Sequence, residues 1–199
     1  MTPRVDTLPP TERERTGGFV LIAAMAIVMW AVEVVDIVAG NLDSAGIQPR
    51  DPDGLPGIVA SPFLHSGFGH LIGNTIPFLV LGAAIAVGGL MRTLLVTAIV
   101  LVVGGVGTWL TAPSNTVVIG ASGLVFGYAT YLVARGVYSR MPLHFVGGLA
   151  VLAIYGSTLL VGLVPTPGIS WQGHLFGAIG GVVAARVVYR SRAMSADPA

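Results

Sequence analysis

Two residues of this chain have the chemistry of a nucleophile and its base. Ser122 stands in Gly120-Ala121-Ser122-Gly123 at the start of one apolar stretch, and His174 stands in Gly173-His174-Leu175-Phe176-Gly177 at the start of another. A hydroxyl is a weak nucleophile until a neighbouring imidazole takes its proton, which is how Ser-His hydrolases attack a carbonyl carbon. The surrounding chain is 54% hydrophobic and only 10% charged, against the ~25% charged residues of soluble domains. Acyl-transfer chemistry of the serine-protease kind is therefore expected inside a lipid bilayer.

Composition limits what else the chain could be. With 199 residues and a mean hydropathy of +0.84, it reads as a single all-α integral membrane domain. The absence of cysteine excludes disulfides, thiolate metal sites and a Cys nucleophile. All 10 basic residues are arginines, the net charge is only +1, and there is no basic block, so nucleic acid is not an expected partner. The 28 glycines are about twice the usual ~7%, which in lipid points to close helix packing.

The elements that position Ser122 and His174 follow from apolar runs of about 20 residues. Six spans are predicted, at roughly 18–38, 68–88, 93–111, 120–135, 143–163 and 171–189, the fourth being short. Short polar tails, 1–16 and 191–199, flank a membrane domain over 17–190. Between the first two spans lies a polar segment with Asp43, Asp51 and Asp53 and with Pro49, Pro52, Pro56 and Pro62, expected to be a structured loop. Pro165-Thr166-Pro167-Gly168 reads as a tight turn before span six.

Arginine placement sets the orientation, because positively charged loops stay cytoplasmic. Under six spans, Arg4, Arg13, Arg15, Arg92, Arg135, Arg140, Arg186, Arg190 and Arg192 fall on one side and only Arg50 on the other, so both termini are expected in the cytoplasm. Val38-Ala39-Gly40 weakly resembles a signal-peptide cleavage site. Removing span one would upset that partition. Counting back from Arg135 and Arg186 at 1.5 Å per residue puts Ser122 about 20 Å and His174 about 18 Å above the cytoplasmic face. The two share a depth, about 10 Å below the outer surface. Gly123 and Gly127 on span four, and Gly173, Gly177 and Gly181 on span six, recur at four-residue spacing. Such spacing lets helices approach closely in lipid. Packing alone would also account for these glycines, but ionisable groups at membrane depth are functional candidates by default.

His65, His70 and Asn74 precede and begin span two, with His70 and Asn74 on one helical face. Three readings are open: a metal site, a hydrogen-bonded loop anchor, and an oxyanion stabiliser. Zinc would need further ligands from His174 or the outer-loop aspartates. The anchor role suits His65 best, pinning the long outer loop, and oxyanion donation suits His70 and Asn74.

Taken together, these residues resemble the rhomboid family of intramembrane serine proteases. The resemblance covers spans two to six and rests on His65, His70 and Asn74, on Gly120, Ser122 and Gly123, and on His174 followed by Gly177. It implies a six-helix rhomboid-like bundle in which Ser122 is the nucleophile and His174 the general base, with no third carboxylate. It also implies that His70, Asn74 and the Ser122 backbone N–H bind the oxyanion. Something other than a carboxylate must then orient His174. Phe126, one turn below Ser122, is placed to pack on the imidazole, ordinary core packing being the alternative. Family members often carry Trp-Arg in the first outer loop, where this chain has Pro56-Gly57. The first outer loop is therefore expected to be built differently from that of such members.

The resemblance implies an endopeptidase that cuts single-span membrane proteins near the outer face of a prokaryotic plasma membrane, with no cofactor or metal. Loops near 61–69 and 164–170 are candidate lids. A silent rhomboid-like binder of membrane helices is the alternative, though such relatives usually lack the Ser or the His. A transporter relaying protons through His65, His70 and His174 is a third, disfavoured by the lack of an evident internal repeat.

Overall fold

The computed structural model describes residues 9–196, with side chains through Tyr189. Six long helices make up the molecule: α1 (Glu12–Ala39), α2 (Phe68–Ala86), α3 (Leu90–Thr111), α4 (Ser122–Ser139), α5 (Pro142–Gly162) and α6 (Trp171–Ala196). Their ends follow local chemistry. Helix α1 starts inside the expected polar tail because Thr11 and Glu14 form a capping box: Thr11 Oγ1 accepts the Glu14 N–H at 3.2 Å and Glu14 returns a carboxylate to the Thr11 N–H at 2.7 Å. Likewise α6 runs on to Ala196, through residues expected to be tail, and residues 1–8 and 197–199 lie outside the described residues. Gly67 and Gly120, both with φ near +108°, turn the chain into α2 and α4, a conformation that only glycine adopts without strain.

Four of the helices, α1, α2, α3 and α5, are long and apolar enough to cross a membrane. The other two, α4 and α6, carry Ser122 and His174. Polar residues and glycines dilute their hydropathy, and α4 can tolerate that because it is surrounded by protein. It packs most closely on α6 and also against α5, α2 and α3, with Leu124, Phe126, Tyr128 and Tyr131 buried. The phenol of Tyr128 shares a 2.7 Å hydrogen bond with Thr97 of α3, which satisfies a polar atom that would otherwise be stranded. At the other extreme α5 buries only Gly148 and exposes Leu143, Phe145, Val146, Ile154 and Leu160. In water such a face would be a liability; in a bilayer it is the surface that meets lipid.

The glycine seam between α4 and α6 is real. A Cβ on Gly177 would collide with the Gly123 carbonyl, and one on Gly181 with the Gly127 carbonyl. Thr130 Oγ1 bonds the Ala178 carbonyl across this seam at 2.8 Å.

Short 3₁₀ turns and the one-turn helix Gly57–Ala60 make up the segment between α1 and α2. An isolated bridge joins Ile47 to Val118 in the loop before α4, and the Ser61 carbonyl accepts the Gly120 N–H at 2.8 Å. Arg50, set apart from the other arginines, donates to the Leu110 carbonyl at 3.0 Å and to the Ser114 hydroxyl. It places a cation at the negative end of α3. Gly57, in the Pro56-Gly57 pair, is buried, and a Cβ there would strike the Gly46 backbone. The loop is thus held by a close backbone crossing. Two expected boundaries also shift: Arg135 lies a turn inside α4 and Arg92 in the first turn of α3. Arginine is a good helix former, so the helical backbone continues past both.

Candidate active site

Ser122 is the first residue of α4, so its N–H and those of the following turn have no intrahelical acceptor. The Gly120 turn places it there. A Cβ on Gly120 would lie 2.7 Å from the His70 ring and 3.5 Å from Asn74 Nδ2, so glycine makes room for both side chains beside the serine.

His174, one turn into α6, meets Ser122 across the seam, with Nε2 2.9 Å from Oγ. Its Nδ1 lies 2.7 Å from the Gly162 carbonyl, an acceptor that can only receive a proton. Nδ1 therefore carries the hydrogen and Nε2 presents its lone pair to the hydroxyl. The ring also stacks on Phe126, with centroids 4.1 Å apart and planes 8° from parallel. Two groups thus hold the imidazole, and neither is a carboxylate. Phe126 is the one the sequence singled out. Gly162 was missed, because a backbone carbonyl at a helix end leaves no side-chain signal.

His65 is 1% exposed and lies in the loop before α2. Its Nε2 accepts the Ala121 N–H at 3.4 Å, so it ties the loop to the residue preceding Ser122. Burial, with neighbouring His70 adding to it, pushes its pKa down to about 4. The ring is neutral and can accept. His70 stands edge-on to His65 at 5.0 Å between centroids, with Nδ1 3.3 Å from the Ser66 hydroxyl, a contact the sequence reading also missed. Asn74 is 6% exposed, and its Nδ2 is buried without a hydrogen-bond partner. Among the described residues no three His, Asp or Glu side chains come together as a metal-binding group.

Ser122, His174, His70 and Asn74 line one cavity of about 830 Å³, which is also lined by Ala112, Pro113, residues 116–119 and Pro165–Ser170. Of the two loops expected to act as lids, the second lines this cavity. The first contributes only Ser66 at its rim. The arrangement can deprotonate a hydroxyl and offer N–H donors to an oxygen bound beside it.

A rhomboid domain profile matches residues 53–191, most of the chain. The chain belongs to the rhomboid family. It is 43% identical over 195 residues to an uncharacterized protein of Mycobacterium tuberculosis, covering 92% of this chain and 80% of that one. It is 42% identical to an uncharacterized protein of Mycobacterium leprae, over 89% of this chain and 75% of the relative. YdcA of Bacillus subtilis, whose name provisionally calls it a rhomboid protease, is 30% identical over 62% of each chain. Rhomboid membership together with four apolar helices makes this a membrane protein, and the family suggests an intramembrane protease. The matched segment contains every residue of the cavity named above.

Proposed function

We propose that this protein is a rhomboid-type serine endopeptidase that hydrolyses peptide bonds of membrane-spanning substrates through Ser122 and His174. The observation that carries the reading is the 2.9 Å contact between Ser122 Oγ and an imidazole nitrogen whose ring partner is already committed to Gly162. His174 Nε2 takes the hydroxyl proton as Ser122 Oγ attacks the carbonyl carbon, then gives it to the leaving amine. Water, entering from the outer end of the cavity, releases the acyl-enzyme by the same route.

Two helix ends bracket this chemistry. Gly162 is the last residue of α5, so its carbonyl carries the partial negative charge of that terminus and favours the imidazolium as it forms. The first turn of α4 offers its partial positive end to the oxyanion. His70, Asn74 and the Ser122 N–H are the proposed donors, and the buried, unpartnered Asn74 Nδ2 fits that role. With water restricted, these fixed dipoles act more strongly than they would in solution.

All six helices are proposed to cross a prokaryotic plasma membrane with both termini inside, which places Ser122 near the outer face. The proposed substrates are single-span proteins whose helix opens locally, since a regular helix keeps its carbonyls hydrogen-bonded. Reconstituted into liposomes with a single-span reporter, the wild-type chain is expected to release two fragments and the Ser122→Ala and His174→Ala variants none. Binding of the reporter without cleavage by the wild type would instead favour a silent helix-binding protein.

A further inference from the structure

At the far end of the bundle from Ser122, two arginines, Arg92 and Arg135, gather with no carboxylate bonded to either among the described residues. Arg135 lies about 20 Å along α4 from Ser122 at 1.5 Å per residue. Its Nη1 reaches the Ala84 carbonyl of α2 at 3.5 Å, the outer limit of a hydrogen bond, and its Nε is buried with no partner. Arg92, in the first turn of α3, lies back along Gly88 with its guanidinium carbon 6.0 Å from the centre of the Tyr189 ring on α6. His144 of α5, 2.8 Å from the Ser139 hydroxyl, stands edge-on to the same Tyr189 ring at 6.1 Å. Buried Tyr131 is an electrostatic neighbour of both arginines. Five helices therefore contribute to one half-buried basic and aromatic cluster.

No carboxylate answers it among the described residues. The sequence has no Asp or Glu between Asp53 and Asp197, the latter lying outside the described residues. In the first turn of α1, Glu14 is turned back onto Thr11 at 2.7 and 2.9 Å, and Asp6 lies outside the described residues. Two partly buried guanidiniums without a counter-charge among the described residues call for an anion. Their planar forks match phosphate oxygens in particular. A basic cluster between helices at a membrane surface meets its phosphate in the headgroup of an anionic lipid.

We infer that Arg92 and Arg135 form a binding site for the phosphodiester headgroup of an anionic phospholipid in the leaflet on the arginine-rich side. The site is separate from the Ser122 cavity and does not depend on proteolysis.

The test follows the thermal unfolding of the full-length protein in an uncharged detergent with phosphatidylglycerol, phosphatidylcholine or inorganic phosphate at matched phosphate concentration. Phosphatidylglycerol is expected to raise Tm by about 5 °C over phosphatidylcholine at saturation. Arg92→Gln and Arg135→Gln should lose most of that rise, while Arg140→Gln, exposed at the same end, should keep it. If Arg135→Gln does not fold, Arg92→Gln alone decides. An equal rise in Arg92→Gln and wild type overturns the site, and so does its loss in Arg140→Gln, which would mark general charge attraction. A rise from inorganic phosphate as large as that from phosphatidylglycerol overturns the lipid as ligand.

Discussion

At the scale of single residues, the account depends on what each polar group near Ser122 can give or accept. Asn74 offers an amide Nδ2 with no hydrogen-bond partner among the described residues. Its replacement by Ala should lower turnover about 10²-fold with little change in substrate binding, the loss typical of one oxyanion donor; steady-state cleavage rates in liposomes check this. His65 makes a prediction of a different kind. Its pKa in the fold is about 4, against an ordinary 6.5, so the folded protein resists a proton that the unfolded chain accepts. Its contribution to stability is complete above about pH 6.5 and declines as pH falls towards 4. Thermal unfolding measured across that window should fall more steeply in wild type than in His65→Gln. Ser122, His174, His70 and Asn74 stood out in the sequence through their motifs and spacing, and in the structure they line one cavity. The carbonyl of Gly162 and the hydroxyl of Ser66 did not stand out in the sequence, since one is backbone and the other an ordinary loop residue.

At the scale of elements, the α4–α6 seam sets the distance between Ser122 and His174. Gly177→Ala should force the helices apart at the Gly123 carbonyl, destabilising the protein by about 1–3 kcal/mol and weakening activity with it. Gly73→Ala is the matched control. It lies in α2 with nothing near its added methyl, so stability should hold or rise by about 0.5–1 kcal/mol. Comparing the two melting temperatures separates a packing glycine from a merely helical one. The four-residue glycine spacing revealed this seam in the sequence, whereas the extents of the helices were less visible. Thr11 and Glu14 start α1 early, and α4 continues past Arg135 because arginine is itself a good helix former. Hydropathy alone reads such a charge as a membrane boundary.

At the scale of the whole molecule, the proposed topology puts the Ser122 cavity and the arginine cluster at opposite faces of the membrane. The chain has no cysteine, so single substitutions make unambiguous reporters. In intact cells a membrane-impermeant maleimide should label Asn115→Cys and not Arg15→Cys, both exposed sites; the reverse pattern would invert the topology. The central claim, that His174 activates Ser122 as a nucleophile, is tested most directly by reacting the detergent-solubilised protein with a fluorophosphonate and locating the adduct by mass spectrometry. The adduct is expected on Ser122 in wild type, and it should be absent from Ser122→Ala and His174→Ala when both retain wild-type helical content. Equal labelling of all three proteins, or an adduct on another residue, would contradict the account.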